Sequence, residues 1–151
     1  MQTTIDHLER IIGIYTRRLQ ALPANTYALR PAPEKWSKQE ILGHLVDSAQ
    51  NNIRRFIVAQ YEENPVIPYD QDQWVRLSGY REYLPDNLIE LWALLNRHLV
   101  MVLRQIGPEA AQRKCSMGGQ LQTLLWVAAD YTNHLLHHLH QILDLEPVAY
   151  P

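Results

Sequence analysis

The sequence predicts an all-α protein: a four-helix bundle with one long crossover connection that holds one short extra helix. Three observations carry this prediction. Four long segments repeat apolar residues at helical spacing, stretches rich in proline or glycine separate them, and neither strand-like alternation nor an internal repeat appears. A length of 151 residues with 46% hydrophobic and 20% charged content matches a packed core without staples, so residues 1–151 are expected to form a single helical domain.

The first helix is expected over about Thr4 to Leu22, where Ile5, Leu8, Ile11, Ile12, Tyr15, Leu19 and Leu22 share a face and Pro23 lies beyond the end. A proline-broken loop, LRPAPEKW, follows. Ser37 with Glu40 three residues later forms a capping box, which starts a second helix running to about Tyr61 and places His44 in its early turns. Trp36 reads as a hydrophobic staple at that start. Residues 62–85 lack a sustained period and are expected to make the long connection. Asp86 or Asn87 should cap a third helix through Leu91, Leu94, Leu95, Leu99, Val102 and Leu103, stopped by Gly107 and Pro108. The last helix should begin near Thr123 and reach about Leu143, with Leu124, Val127, Ala128, Tyr131, Leu135, His138 and Ile142 facing inward.

The charge balance excludes some classes of function. A net charge of −2, from 14 basic and 16 acidic residues spread along the chain, leaves no electrostatic footprint for nucleic acid, and a small-molecule substrate is the expected partner. No apolar run approaches the ~18 residues that span a bilayer, so no membrane role is expected. Cys115 is the single cysteine and the N-terminal segment lacks the marks of a leader peptide, which together point to a cytoplasmic protein.

The chemistry is densest in YTNHLLHHLHQI, which holds four of the seven histidines. One helical residue turns about 100°, so His134 and His138 stack one turn apart and can grip a divalent ion from the same side at Zn–N distances near ~2.0 Å. His137 and His140 fall on the flank. Two imidazoles leave a shell open, and bundle sites draw further ligands from facing helices. His44, lodged among Ile41, Leu45 and Val46, is the third candidate because an unpaired imidazole there would be costly to bury; His7 and His98 are less constrained alternatives. The competing reading leaves these histidines as separate core or surface residues. The H-E-x-x-H pattern of zinc peptidases is absent, since two leucines follow His134.

The run WSKQEILGHLVDS, the loop PVIPYDQDQW and the terminal HLLHHLHQI together resemble the DinB-like superfamily of four-helix-bundle proteins, and the likeness covers nearly the whole chain. The resemblance implies that His44, His134 and His138 form a metal triad for a divalent ion, zinc or nickel. It also implies a homodimer, and either hydrolysis of a small molecule or, in some branches, transfer of a low-molecular-weight thiol. A noncatalytic metal-binding helical dimer is the remaining alternative, since a fold and its ligands do not fix a substrate.

Other residues are candidates for roles beside that triad. Asp47, three residues after His44, is a candidate to orient an imidazole or act through water, against a plain role on a solvated helix face. Asp70 is a candidate carboxylate for water activation, and Tyr69, Asp72 and Trp74 for pocket walls, against a capped turn with anchoring aromatics. Asn51 and Arg55 return to the His44 face and could meet an anionic substrate. Tyr131 either brings a hydroxyl to the open position of the metal or fills the core with its ring. Gln141 continues the line of His134 and His138 and is left outside the site.

Overall fold

A computed structural model describes residues 1–150, and within them the four long helices stand close to where the apolar periodicity places them. Helix α1 spans Gln2–Gln20 and buries Ile5, Leu8, Ile11, Ile12, Tyr15 and Leu19. Helix α2 spans Lys38–Val58. Its start is the expected capping box: the Ser37 hydroxyl accepts from the Glu40 amide at 3.2 Å, and the Glu40 carboxylate accepts from the Ser37 amide at 2.9 Å. Arg30 ion-pairs with the same Glu40 and ties the preceding loop to the cap.

The crossover holds the short helix α3, Gln71–Leu77, whose N-cap is Asp70, accepting from the Gln73 amide at 3.0 Å. Helix α4, Pro85–Arg104, starts earlier than Asp86 or Asn87 would set it. Pro85 occupies the first helical position, where its missing N–H has no helical partner to lose and its fixed φ suits the turn. Helix α5, Leu124–Ile142, is capped by the Thr123 hydroxyl, which accepts from the Trp126 amide at 3.1 Å.

One element departs from the expected all-helical chain. Strands β1, Lys114–Ser116, and β2, Leu121–Thr123, pair antiparallel, with Cys115 opposite Gln122. The crossover joins them through a parallel bridge of Val66 to Ser116, in which the Ile67 amide donates to the Ser116 carbonyl at 2.8 Å. Three-residue strands are too short to leave a readable alternation.

The main helix contacts run α1 to α4, α4 to α2, α2 to α5 and α5 back to α1. Helices adjacent in sequence, α1 and α2, are therefore not the main neighbours, and α2 touches both later long helices as well as α3. That order buries α2 on most of its circumference and explains why polar residues such as His44, Asp47, Ser48, Asn52 and Arg55 lie inside the protein. No helix of the described residues is long and apolar enough to cross a membrane.

Candidate metal centre

Helices α2 and α5 bring His44, His134 and His138 together. His44 is buried and the two α5 histidines are half-buried, and one ring nitrogen from each lies within 4.8 Å of the others. The Nε2 atoms of His44 and His134 stand 3.0 Å apart. Two neutral imidazoles at that distance either share one proton or turn both lone pairs to a common cation. Burial favours neutrality: it drives the His44 pKa down to about 3 and that of His134 to about 2, with neighbouring histidines adding to both shifts. Burial also lowers the His138 pKa.

A second layer orients these rings. His138 Nδ1 donates to Gln141 Oε1 at 3.0 Å, which leaves the Nε2 lone pair free for the cluster. Ser48 Oγ stands 3.5 Å from His134 Nδ1. Gln141, left outside the site on sequence grounds, thus joins it through His138, and Ser48 was missed by sequence reasoning although it sits one helical turn from His44 on α2. The Trp36 ring lies against His44 with centroids 5.2 Å apart, so the residue read as a staple also walls the site.

Asp47 is fully buried. Its Oδ1 accepts from the Tyr80 hydroxyl, while Oδ2 has no partner, and His44 Nδ1, three residues earlier, has none either. Burial pushes the Asp47 pKa up to about 6 against the opposing effect of the Tyr80 bond.

The remaining candidates fall in different places. Asp70 is exposed and its carboxylate caps α3, so the structure does not bring it into the cluster. Tyr131 is buried, its hydroxyl donates to Asn96 Oδ1 on α4 at 2.6 Å, and the residue borders the space beside His44 and His134. Asn51 turns its amide back to the Asp47 carbonyl; Asn52, not Asn51, lines the interior cavity. His7 and His98 are exposed and outside the cluster. His137 and His140 hold the C-terminal segment, with Nδ1 donating to the Val148 carbonyl at 2.8 Å and to the Glu146 carbonyl at 2.7 Å. Cys115 is buried and lines neither space beside the triad.

Those two spaces flank the histidines. On the His138 side, a cleft of about 960 Å³ is bordered by Leu29, Pro31, Trp36, Ile41, Asp72 and Gln141. On the His44 and His134 side, a cavity of about 190 Å³ is lined by Ser48, Asn52, Arg55, Tyr69, Asp130 and Tyr150 among others.

The donor set fits a divalent transition ion. Three neutral imidazoles suit zinc or nickel, and a tetrahedral centre with Zn–N near ~2.0 Å sets ligand nitrogens roughly 3.3 Å apart, close to the 3.0 Å between the two Nε2 atoms. His44 Nδ1 makes no hydrogen bond, so the acceptor that commonly stands behind a ligating imidazole is not engaged; Asp47 Oδ2, buried and also without a partner on the same helix, is the nearest such group in sequence.

Known proteins are similar to this chain in sequence or in shape. A relative from Oceanobacillus iheyensis, named as a candidate metal-dependent hydrolase, is 31% identical over 120 residues, covering 73% of this chain and 64% of that protein. A Bacillus cereus relative of the same description is 27% identical over 150 residues, covering 91% of this chain and 86% of that one. Among solved structures, YfiT from Bacillus subtilis is described as a candidate metal-dependent hydrolase with an unusual four-helix-bundle topology. It superposes with a TM-score of 0.85 at 23% identity, over 95% of this chain and 83% of its own. The mycothiol-dependent maleylpyruvate isomerase superposes with a TM-score of 0.72 at 16% identity, over 98% of this chain and 61% of its own. These two likenesses are of fold. The DinB superfamily model matches residues 7–142, and the chain belongs to that superfamily.

Proposed function

We propose that the protein is a metal-dependent enzyme in which His44, His134 and His138 hold one divalent ion, zinc or nickel, for hydrolysis of a small molecule. The observation that carries this reading is the convergence of three neutral ring nitrogens within 4.8 Å between a cleft and a cavity. A bound divalent ion would supply Lewis-acid chemistry, lowering the pKa of water or of a thiol into the neutral range. The chain's own residues then hold and orient. Gln141 and Ser48 fix the α5 imidazoles, and Trp36 excludes water from one face of His44. Asp47 is the candidate acceptor for the His44 Nδ1 proton, a positioning role that its partnerless oxygen supports. The sequence reading of Asp70 as a water-activating group draws no support from its exposed capping position, nor does that of Tyr131 from its bond to Asn96.

A second reading is transfer of a low-molecular-weight thiol. It is favoured by the size of the 960 Å³ cleft and by the fold shared with an isomerase that depends on mycothiol. Esters and amides tested beside thiol-plus-electrophile pairs separate the two, since turnover should be confined to one set. A homodimer in the cytoplasm completes the proposal, and a mass measurement in solution tests the first part.

The primary test is elemental analysis of untagged protein purified without chelators, beside His44→Ala, His134→Ala and His138→Ala variants that remain folded by circular dichroism. About one ion per chain, lost in each variant, is the expected result. A wild type that is metal-free and also fails to take up added zinc or nickel would sink the proposal. Metal that stabilises the fold while no substrate class turns over would indicate a noncatalytic bundle.

A further inference from the structure

Arg55 lines the 190 Å³ cavity from the same row of α2 that carries His44, Ser48 and Asn52, residues spaced so that each returns to one helix face. The residue is only 4% exposed, and among the described residues no carboxylate oxygen lies within 4.0 Å of its guanidinium nitrogens. Buried charges are ordinarily paired, because taking an ion out of water is expensive. Here the partners are neutral. Nε and Nη2 donate to the Ile67 carbonyl at 3.0 and 2.8 Å, and Nη1 donates to Asn52 Oδ1 at 3.3 Å. A guanidinium has five N–H donors, so one on Nη1 and one on Nη2 remain unused.

The rest of the cavity wall matches this donor pair. The Tyr69 ring lies 5.7 Å from the guanidinium carbon and closes one side. The one acidic wall residue, Asp130, already accepts the Tyr150 hydroxyl on its two oxygens at 3.1 and 3.0 Å. One unused N–H on each Nη nitrogen of a guanidinium held by neutral partners leaves donors with which to hydrogen-bond a carboxylate.

We infer that the cavity behind the histidines is a carboxylate-binding subsite in which Arg55 receives an anionic group of the substrate. This assignment deepens the proposed metal-enzyme reading and rests on it for the term substrate, but the recognition itself belongs to the chain's own side chains. The substrate class narrows accordingly to small carboxylates whose reactive atom lies toward His44 and His134, which line the same cavity. Residual negative charge on Asp130 opposes such a ligand, so its removal is expected to favour binding.

The test uses ¹⁵N-labelled full-length chain, metal-free and zinc-loaded, titrated with acetate and with acetamide at constant ionic strength. The reporter is the Arg55 Nε–H resonance, assigned by its loss in Arg55→Lys. Acetate is expected to shift it saturably in the metal-free protein, and acetamide is not. Asp130→Asn should bind acetate at least ~threefold more tightly, the direction set by removing a like charge several ångströms away. A shift with acetate no larger than with chloride or acetamide, or Asp130→Asn weakening the binding, overturns the subsite. Failure to take up both zinc and nickel would remove the metal-enzyme reading alone, because the metal-free titration still decides on Arg55.

Discussion

Asp47 is a fully buried acid three residues after His44. Its folded pKa, pushed up to about 6 by burial, lies above the value near ~3.9 of an unfolded chain. The folded state therefore binds this proton more tightly. The resulting stability is fully present below about pH 3.9 and is lost as pH rises through 6, a burden of about 3 kcal/mol at neutral pH on the order-of-magnitude conversion of 1.4 kcal/mol per unit. In urea unfolding of metal-free protein, the stability of wild type relative to Asp47→Asn should fall between pH 4 and pH 7 and then level. The same variant should hold zinc roughly 10–100-fold more weakly if Asp47 supports His44 from behind. An unchanged zinc affinity would leave Asp47 as a buried acid with no part in the site. Tyr131 is the complementary case. Tyr131→Phe strands Asn96 Oδ1 in the core and should cost about 1–3 kcal/mol in a denaturant titration with zinc affinity intact. Weakened zinc binding in that variant would restore the role near the metal that the sequence allowed.

At the level of elements, α2 depends on one close approach. A Cβ added at Gly43 would overlap the Tyr80 ring, which is buried and holds the Asp47 carboxyl. Gly43→Ala gains about 1 kcal/mol of helix propensity but overpacks this contact at a cost of about 1–3 kcal/mol or more, so net destabilisation is the expected outcome in urea. A more stable variant would show that Tyr80 can move away freely. The same contact marks the limit of what the sequence discloses. Helical periodicity located α1, α2, α4 and α5 within a few residues, and the i, i+4 spacing of His134 and His138 was readable because both histidines share one helix. Gln141 lies on that same row, yet a single glutamine carries no pattern. Tyr80 against Gly43, Ile67 on Arg55 and the β1–β2 hairpin depend on segments far apart in sequence meeting in space, so no local spacing encodes them.

Across the whole molecule, the cyclic order of α1, α4, α2 and α5 draws the polar face of α2 inward, while the segment after α5 folds back along that helix. This segment is fastened by the histidines outside the triad. His137 and His140 each donate Nδ1–H to one of its carbonyls, and His140 Nε2 accepts from the Tyr15 hydroxyl at 2.7 Å. A run of four histidines in seven residues would bind a nickel-charged affinity resin if it were free, much as a purification tag does. In the native chain, half of that run is occupied by hydrogen bonds and the other half faces His44. Retention on such a resin should therefore report unfolding: untagged protein should elute early in buffer and be held in 8 M urea, a concentration chosen as roughly above the usual midpoints of small domains. Equal retention under both conditions would mean that the run is already accessible in the native fold.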